Sequence, residues 1–166
     1  MPNIILQMTL DTVDYSILET LQQEGRITNA ELALRVGLTP APTLARVNKL
    51  EQGGYIKGYV ALLNRDMLGL PVTAFVAVIL KSHGVEASRN FLKAVENLPE
   101  VLECHHIAGD EDYLLKVAVA SPADYEHFVL NKLSAVADVQ RVKTTIVLST
   151  PICKTSVPIH QKGYLQ

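Results

Sequence analysis

The sequence predicts an α+β protein in which a helical first part is followed by a second part that mixes strands and helices. Apolar residues recur at helical spacing from Asp11 to about Leu50, whereas strand-like and helical segments alternate from Pro71 to Leu148. Residues 64–69, NRDMLG, are rich in turn formers and separate the two patterns. Because 48% of the 166 residues are hydrophobic, the chain has enough apolar side chains for two cores. We therefore expect domains at 1–64 and 71–150, a linker at 65–70 and a C-terminal tail at 151–166.

The first part carries start and stop signals for three helices. The first helix is expected over about Asp11–Gln23, with apolar residues on one side. Thr28 is a good N-cap for the second helix, and Glu31, three residues later, completes a capping box. Gly37 ends that helix, because a glycine readily adopts the left-handed conformation of a sharp turn. Thr39 then begins the third helix.

Two helices joined by a tight glycine turn are typical of the helix-turn-helix, and the small Ala33 lets them pack closely. On the third helix, one stripe is expected to face the core: Leu44, Val47 and Leu50. A neighbouring stripe is expected to face outward: Thr43, Arg46 and Lys49. The segment that follows, GGYIKGYVALL, contains two β-prone runs and predicts a small hairpin, or wing.

The second part reads in the order β-α-β-β-α-β. Strands are expected at PVTAFVAVIL, VLECHHIA, YLLKVAVA and VQRVKTTIVL, and helices at about Glu86–Asn97 and from Pro122 onward. This order predicts a ferredoxin-like domain, with a four-stranded antiparallel sheet covered by helices on one face. Two of the strands carry apolar residues on both sides, so we expect the open face to be buried by another subunit, which makes the protein at least a dimer.

The charge distribution permits a local contact with nucleic acid but no overall basic coat. The formal net charge is −2, yet residues 26–57 hold five basic residues against two acidic ones. No stretch approaches the roughly 18 apolar residues of a membrane span. The start MPNIILQMTL lacks the basic residues and the cleavage site of a signal peptide, so we expect a cytoplasmic protein without a membrane partner.

The sequence resembles the Lrp/AsnC family of bacterial and archaeal transcription regulators over nearly its whole length after residue 10. The similarity is carried by the double-proline segment LTPAPTLARVNKLE, the GY pair after the wing, the GDEDYLL turn and the VKTTIVL strand, which occur in the family's order. The resemblance implies a winged helix-turn-helix joined to a ferredoxin-like domain of the RAM type. It also implies a homodimer that assembles to an octamer and senses an amino acid.

A helix in the major groove of double-stranded DNA contacts base edges from residues near its N-terminus and phosphates from others. The candidates on the third helix are Thr39, Pro40, Ala41, Thr43, Arg46 and Lys49. Arg46 is able to contact guanine through two hydrogen bonds, but it is equally able to hold a phosphate or to pair with Glu19 or Glu51. Contacts with the DNA backbone are expected from Arg26 and Asn29, at the start of the second helix, and from Lys57 and Tyr59 on the wing.

The acidic turn between the two middle strands is a candidate site for a free amino acid. Asp110 or Asp112 would take the ammonium group, while backbone N–H groups near Gly109 would take the carboxylate. An ordinary solvated turn has the same composition. The resemblance implies that this turn forms the effector site between dimers, with Tyr113 and, as a weaker candidate, Thr144 among the effector-binding residues. Leucine, another branched-chain amino acid and methionine fit equally well.

Other functional classes have less support from the sequence. Cys104, His105 and His106 are adjacent on a predicted strand, so their side chains alternate between its faces and do not converge on a metal. No nucleophile has an obvious base, so we expect neither an enzyme nor a cofactor. The alternative is a ferredoxin-like metabolic sensor, or a regulatory subunit of an enzyme, whose helical part binds protein instead of DNA.

Overall fold

The chain forms two compact units in a computed structural model that describes residues 9–82 and 84–159. The first unit comprises the chain up to Leu62 together with the segment from Ile152, and the second comprises Leu63–Pro151. The stretch MPNIILQM, on which the cytoplasmic expectation partly depends, lies outside the described residues, as do residues 160–166 of the expected tail. Within the described ranges, no helix combines the length and the hydropathy that crossing a bilayer requires.

The first unit is built around three helices: α1 (Thr12–Gln23), α2 (Asn29–Arg35) and α3 (Pro40–Gln52). Asp11 caps α1, and its carboxylate accepts from the Asp14 N–H at 2.9 Å while the Asp14 carboxylate accepts from the Asp11 N–H at 3.1 Å. The helices enclose a core centred on Ile17, Leu32 and Leu50. Thr28 and Thr39 are the N-caps of α2 and α3, as expected, and the three helices bury apolar side chains in a common core.

The described part of the tail lies against the first unit. The Gln22 side chain amide donates to the Val157 carbonyl at 3.2 Å, and the Val157 N–H donates to the Gln22 amide oxygen at 3.0 Å. Together α1, residues 55–59 and Val157–Ile159 line a cavity of about 470 Å³. The Gln22 side chain therefore pairs with both the carbonyl and the N–H of Val157, as the backbone of a neighbouring strand would.

The second unit contains β1 (Val72–Leu80), α4 (Val85–Glu96), β2 (Val101–His106), β3 (Tyr113–Val119), α5 (Pro122–His127) and β4 (Val139–Ile146). A π-helical segment, Phe128–Leu133, continues α5. The strands form one antiparallel sheet in the order β2-β3-β1-β4. The predicted βαββαβ order and the ferredoxin-like fold are therefore confirmed.

The helices cover one face of this sheet. Phe91 of α4 and Phe128 after α5 lie in one buried cluster with Val76, Leu115 and Val117. On the opposite face, Phe75 pairs with Lys116 across β1 and β3 and stays partly exposed. The open face thus carries apolar side chains that the single chain does not cover.

Candidate functional site

The turn between α2 and α3 has the geometry that the sequence predicts. Gly37 has φ of +69°, and apart from its chain neighbours no heavy atom of the described residues lies within 4 Å of the position of a Cβ on it. The Leu38 N–H donates to the Ala33 carbonyl at 2.9 Å and the Gly37 N–H donates to the Leu34 carbonyl at 3.4 Å. These two hydrogen bonds form a Schellman motif, which ends α2 and turns the chain sharply into α3.

The start of α2 is fixed both within the helix and to α3. The Thr28 N–H donates to Glu31 Oε2 at 3.0 Å, and the Glu31 N–H donates to the Thr28 hydroxyl oxygen at 3.2 Å, which confirms the capping box. The Asn29 side chain amide donates to the Pro40 carbonyl at 2.8 Å. Asn29, which we expected to contact the DNA backbone, thus connects the first residues of the two helices in this structure.

The first turn of α3 presents few hydrogen-bond donors. Thr39 is the N-cap, but its side chain makes no capping hydrogen bond, and Pro40 and Pro42 have no N–H. The Thr43 N–H donates to the Thr39 carbonyl at 3.3 Å. Among residues 40–43, this leaves the N–H of the exposed Ala41 without a partner in the described chain. The helix tip therefore offers small side chains and one backbone donor, unlike an N-terminus built to bind an anion.

The orientation of α3 differs from the predicted one. Thr43 is fully buried and its hydroxyl donates to the Thr39 carbonyl at 2.9 Å, so the expectation that it faces outward is wrong. Leu44, which we expected in the core, is half exposed. The inward stripe is Thr43, Val47 and Leu50. These residues are four and three positions apart, which follows the helical period of 3.6 residues. The predicted stripe, with Leu44 in place of Thr43, repeats every three residues and follows this period less closely.

Arg46 is held by two carboxylates at the start of α1. Its Nη1 atom lies 2.7 Å from Asp11 Oδ2 and 2.6 Å from Asp14 Oδ1. Its side chain is 32% exposed and that of Asp14 is 4% exposed. Of the alternatives left open for Arg46, pairing within the protein is the one present here, with Asp11 and Asp14 as partners in place of Glu19 or Glu51. Both carboxylates raise the pKa of the Arg46 guanidinium.

The segment after α3 shows no strand pairing among the residues that the structure describes, so the expected hairpin is not formed within the chain. The Tyr59 hydroxyl donates to Glu51 Oε1 at 3.0 Å, at the end of α3. Partial burial and then this carboxylate raise the pKa of Tyr59 to about 12. Lys57 and Arg26 are exposed. Tyr59 therefore already has a partner in the protein, whereas the two basic side chains are available to a phosphate.

The exposed face of α3 includes residues that the sequence reasoning missed. Ala45 and Asn48 are exposed together with Ala41 and Lys49. Ala45 and Asn48 lie four and seven residues after Ala41, and a helix places side chains at these spacings on one side. Correct assignment of the buried Thr43 would have revealed this face, because the residues opposite the inward stripe follow from the helical period.

The turn between β2 and β3 is closed by backbone and side chain bonds of Asp112. Its N–H donates to the Val78 carbonyl at 3.0 Å, its carbonyl accepts from the Ile107 N–H at 3.0 Å, and its carboxylate accepts from the Leu80 N–H at 2.8 Å. Asp110 and Gly109 are exposed in the turn, and apart from its chain neighbours no heavy atom of the described residues lies within 4 Å of the position of a Cβ on Gly109. Asp112 is therefore tied to the end of β1, whereas the tip of the turn is open.

Tyr113 and Thr144 contact the helices that cover the sheet. Tyr113 is buried, its hydroxyl forms a short hydrogen bond with that of Ser88 on α4, and its ring centroid lies 4.7 Å from that of Phe91. The Thr144 hydroxyl forms a 2.6 Å hydrogen bond with that of Tyr125 on α5. Both hydroxyl groups thus pair with side chains of the covering helices.

His105 and His106 have separate surroundings, as expected for adjacent strand residues. His105 Nε2 lies 3.1 Å from Glu103 Oε2, and the same carboxylate accepts from Lys116 at 2.7 Å. Lys116 and then His105 lower the pKa of Glu103. The His106 ring instead lies against Tyr113. No cluster of three or more histidine, cysteine or acidic side chains suited to a metal is found within residues 9–82 and 84–159.

These features define a class of protein. A helix-turn-helix formed by α2 and α3, in which one face of α3 is exposed, is joined to a ferredoxin-like unit. A family model of winged helix-turn-helix DNA-binding domains matches residues 10–57, and a model of the Lrp/AsnC ligand binding domain matches residues 73–157. The chain is therefore a DNA-binding transcription regulator with a ligand-binding domain. This match favours DNA over protein as the partner of the helical unit.

Similar proteins identify the family. The leucine-responsive regulatory proteins of Klebsiella pneumoniae and Escherichia coli are each 41% identical over 139 residues, which is 84% of this chain and 85% of theirs. A transcriptional regulator of Neisseria meningitidis, solved in complex with L-Met, superposes with a TM-score of 0.86 at 38% identity, over 90% of this chain and 97% of that one. AsnC of E. coli gives 0.84 at 33% identity, over 91% of this chain and all of that one.

The chain belongs to the Lrp/AsnC family. The relatives are transcription regulators, a class distinct from enzymes.

Proposed function

We propose that α3 enters the major groove of double-stranded DNA and that a free amino acid, bound by the second unit, controls this binding. The observation that carries the DNA part is the rigid α2-turn-α3 arrangement. The Schellman turn and the Asn29 to Pro40 hydrogen bond fix the two helices, while one face of α3 remains exposed. A helix held in this way keeps its exposed side chains in place for base edges.

The candidate residues take different parts in this interface. Thr39, Pro40 and Ala41 form the tip that approaches the groove, and Lys49 meets a phosphate. Arg26 and Lys57, which are both exposed, add contacts to the DNA backbone. Asn29 and Arg46 act through the protein, since they hold α3 against its neighbours. Tyr59 acts in the same way at the end of the helix.

An assembly of several copies strengthens this binding. The net charge of −2 and the few basic side chains give each module a weak electrostatic attraction to DNA. Modules joined in one particle bind with an avidity well above that of each alone. The uncovered apolar residues on the open sheet face support a homodimer, and we propose that dimers assemble further to an octamer.

The effector is proposed to bind at the tip of the β2-β3 turn. Asp110 offers an exposed carboxylate for an ammonium group, and the open space at Gly109 allows a ligand to approach the backbone. Asp112 positions the turn through its bond to Leu80. The L-Met complex of the Neisseria relative supports an amino acid such as methionine, leucine or another branched-chain amino acid. A site shared between dimers would couple ligand binding to assembly, and assembly to DNA binding.

A mobility-shift titration at several salt concentrations tests the DNA interface. The logarithm of the binding constant should fall linearly with the logarithm of the salt concentration, by about 0.9 for each phosphate neutralised. Lys49→Ala should lower this slope by about one phosphate without changing the melting temperature. An affinity that does not depend on salt would remove DNA from the proposal.

Thermal-shift screening of the twenty amino acids tests the effector, since a ligand that binds only the folded state raises the melting temperature. Asp110→Ala should abolish the shift given by the active amino acid. Asp66→Ala is the matched control, because Asp66 is also an exposed aspartate in a turn of this unit. A full response of the Asp110 variant would place the site elsewhere, and no response to any amino acid would refute the sensor.

A further inference from the structure

We infer that Asn48 is a base-reading residue of α3 and that it selects an adenine in the major groove. This inference rests on the proposed placement of α3 in that groove. It starts from the exposed face formed by Ala41, Leu44, Ala45 and Asn48. Their spacings of three, four and seven residues place all four side chains on one side of the helix.

The length of this face suits the groove. A rise of 1.5 Å per residue puts Asn48 about 10 Å along the helix axis from Ala41, within reach of a groove about 12 Å wide. Ala41 and Ala45 are small enough to let the helix backbone lie close to the bases. With the half-exposed Leu44, they present methyl groups, which make favourable contacts with the methyl group of thymine.

Between residues 40 and 49 of α3, the other polar residues are either engaged in the protein or of a different chemistry. Thr43 is buried, and its hydroxyl bonds to the backbone. Arg46 is held by Asp11 and Asp14. Lys49 is a point charge suited to phosphate. Asn48 is exposed and makes no hydrogen bond within the described chain, so its whole amide group is available.

The chemistry of the amide selects the base. Its N–H₂ group is a donor and its oxygen an acceptor, which matches the N7 acceptor and the N6 donor of adenine. Guanine presents two acceptors, O6 and N7, in the same place, so an asparagine that faced it would place its oxygen against an acceptor. The side chain that suits guanine is arginine, and the arginine of this helix is engaged elsewhere.

The test is selection of bound duplexes from a random-sequence DNA pool by the full-length protein, followed by titration of the enriched duplex. Asn48→Ala should lose the preference at one adenine position, with a roughly 5- to 150-fold smaller ratio between the original duplex and one mutated there. Asn48→Arg should move the preference at that position to guanine. Replacing the adenine by 7-deazaadenine, which lacks the N7 acceptor, should weaken the wild type but not Asn48→Ala.

Lys49→Ala is the matched control, since it should weaken binding to all duplexes alike and keep the selected sequence. If Asn48→Ala selected the same sequence as the wild type, Asn48 would not read a base, although the proposed DNA interface would stand. Loss of binding to every duplex, in a variant that melts like the wild type, would also overturn base reading in favour of a general contact. If the wild-type protein bound no duplex, the proposed placement of α3 would itself fail.

Discussion

Replacing Arg46 by alanine should destabilise the first unit more than any other single change on the surface of α3. Arg46 joins α3 to the start of α1 through Asp11 and Asp14, and Asp14 is almost fully buried. Without Arg46, the Asp14 carboxylate keeps one backbone hydrogen bond, from the Asp11 N–H, and loses its counter-charge. The expected result is a less stable unit whose DNA binding falls mainly because less of it is folded.

The size of the effect follows from the burial of the pair. Breaking a fully buried ion pair costs about 3 to 5 kcal/mol, and removing a hydrogen bond to a charged group costs about 1.5 to 3 kcal/mol. Since Arg46 is 32% exposed, the lower range applies, and we expect a loss of about 2 kcal/mol. For a unit of this size, that corresponds to a melting temperature lower by roughly 8 to 16 °C.

The assay is differential scanning calorimetry, in which the transition of the first unit is followed, with Lys49→Ala as the matched control. Lys49 is an exposed base on the same helix, so its removal should change the stability by less than about 0.5 kcal/mol. Asp14→Asn in the Arg46→Ala background should restore part of the loss, because no buried charge remains unpaired. If Arg46→Ala melted like the wild type and lost DNA affinity as Lys49→Ala does, Arg46 would be a DNA contact and this reasoning would be refuted.

The pH dependence gives a second check on the same contact. The backbone N–H of Asp14 and then Arg46 lower the pKa of Asp11 below its ordinary value of 3.8. The stability that this carboxylate contributes is therefore present above pH 3.8 and is lost as the pH falls through the lowered pKa. The difference in stability between the wild type and Arg46→Ala should accordingly narrow in strong acid.

Three further predictions concern the tail, a tyrosine and the cysteines. Gln22→Ala should speed hydrogen exchange of the Val157 N–H, whose partner it removes; unchanged exchange would mean that the tail is held by other contacts. The pKa of Tyr59 is raised to about 12, so the folded state keeps this proton longer, and stability should fall as the pH rises above 10. Absorbance titration should then show Tyr59 among the late-ionising tyrosines, together with Tyr125, whose pKa burial also raises. Burial raises the pKa of Cys104, so a thiol reagent should modify the exposed Cys153 first, and equal rates at pH 8 would contradict this.

Local signals in the sequence were enough for the fold. The capping box of Thr28 and Glu31 and the left-handed Gly37 depend on residues within one turn of each other, and both occur as predicted. The strands follow from runs of β-branched residues, and their order follows from the βαββαβ pattern. The predicted hairpin after α3 is not formed among the described residues, because β-prone runs form strands only where a partner strand is present.

The candidate sites were harder to predict because they depend on which side chains already have partners. Arg46 has the chemistry to read guanine, but carboxylates 32 and 35 residues away hold it. Asp112 has the charge to bind an ammonium group, yet its carboxylate accepts from the N–H of Leu80 at the end of β1. Sequence spacing shows which residue types are present, but it does not show contacts between distant segments.

The sequence by itself determined that this chain is a helix-turn-helix joined to a ferredoxin-like unit, because caps, turns and apolar periodicity act between near neighbours. Only the tertiary structure decided which side of α3 is exposed. Packing against α1 and α2 buried Thr43 and brought Arg46 to Asp11 and Asp14. It thereby left Asn48 on the open face, because a helix buries the side that best fills the core and pairs its charges.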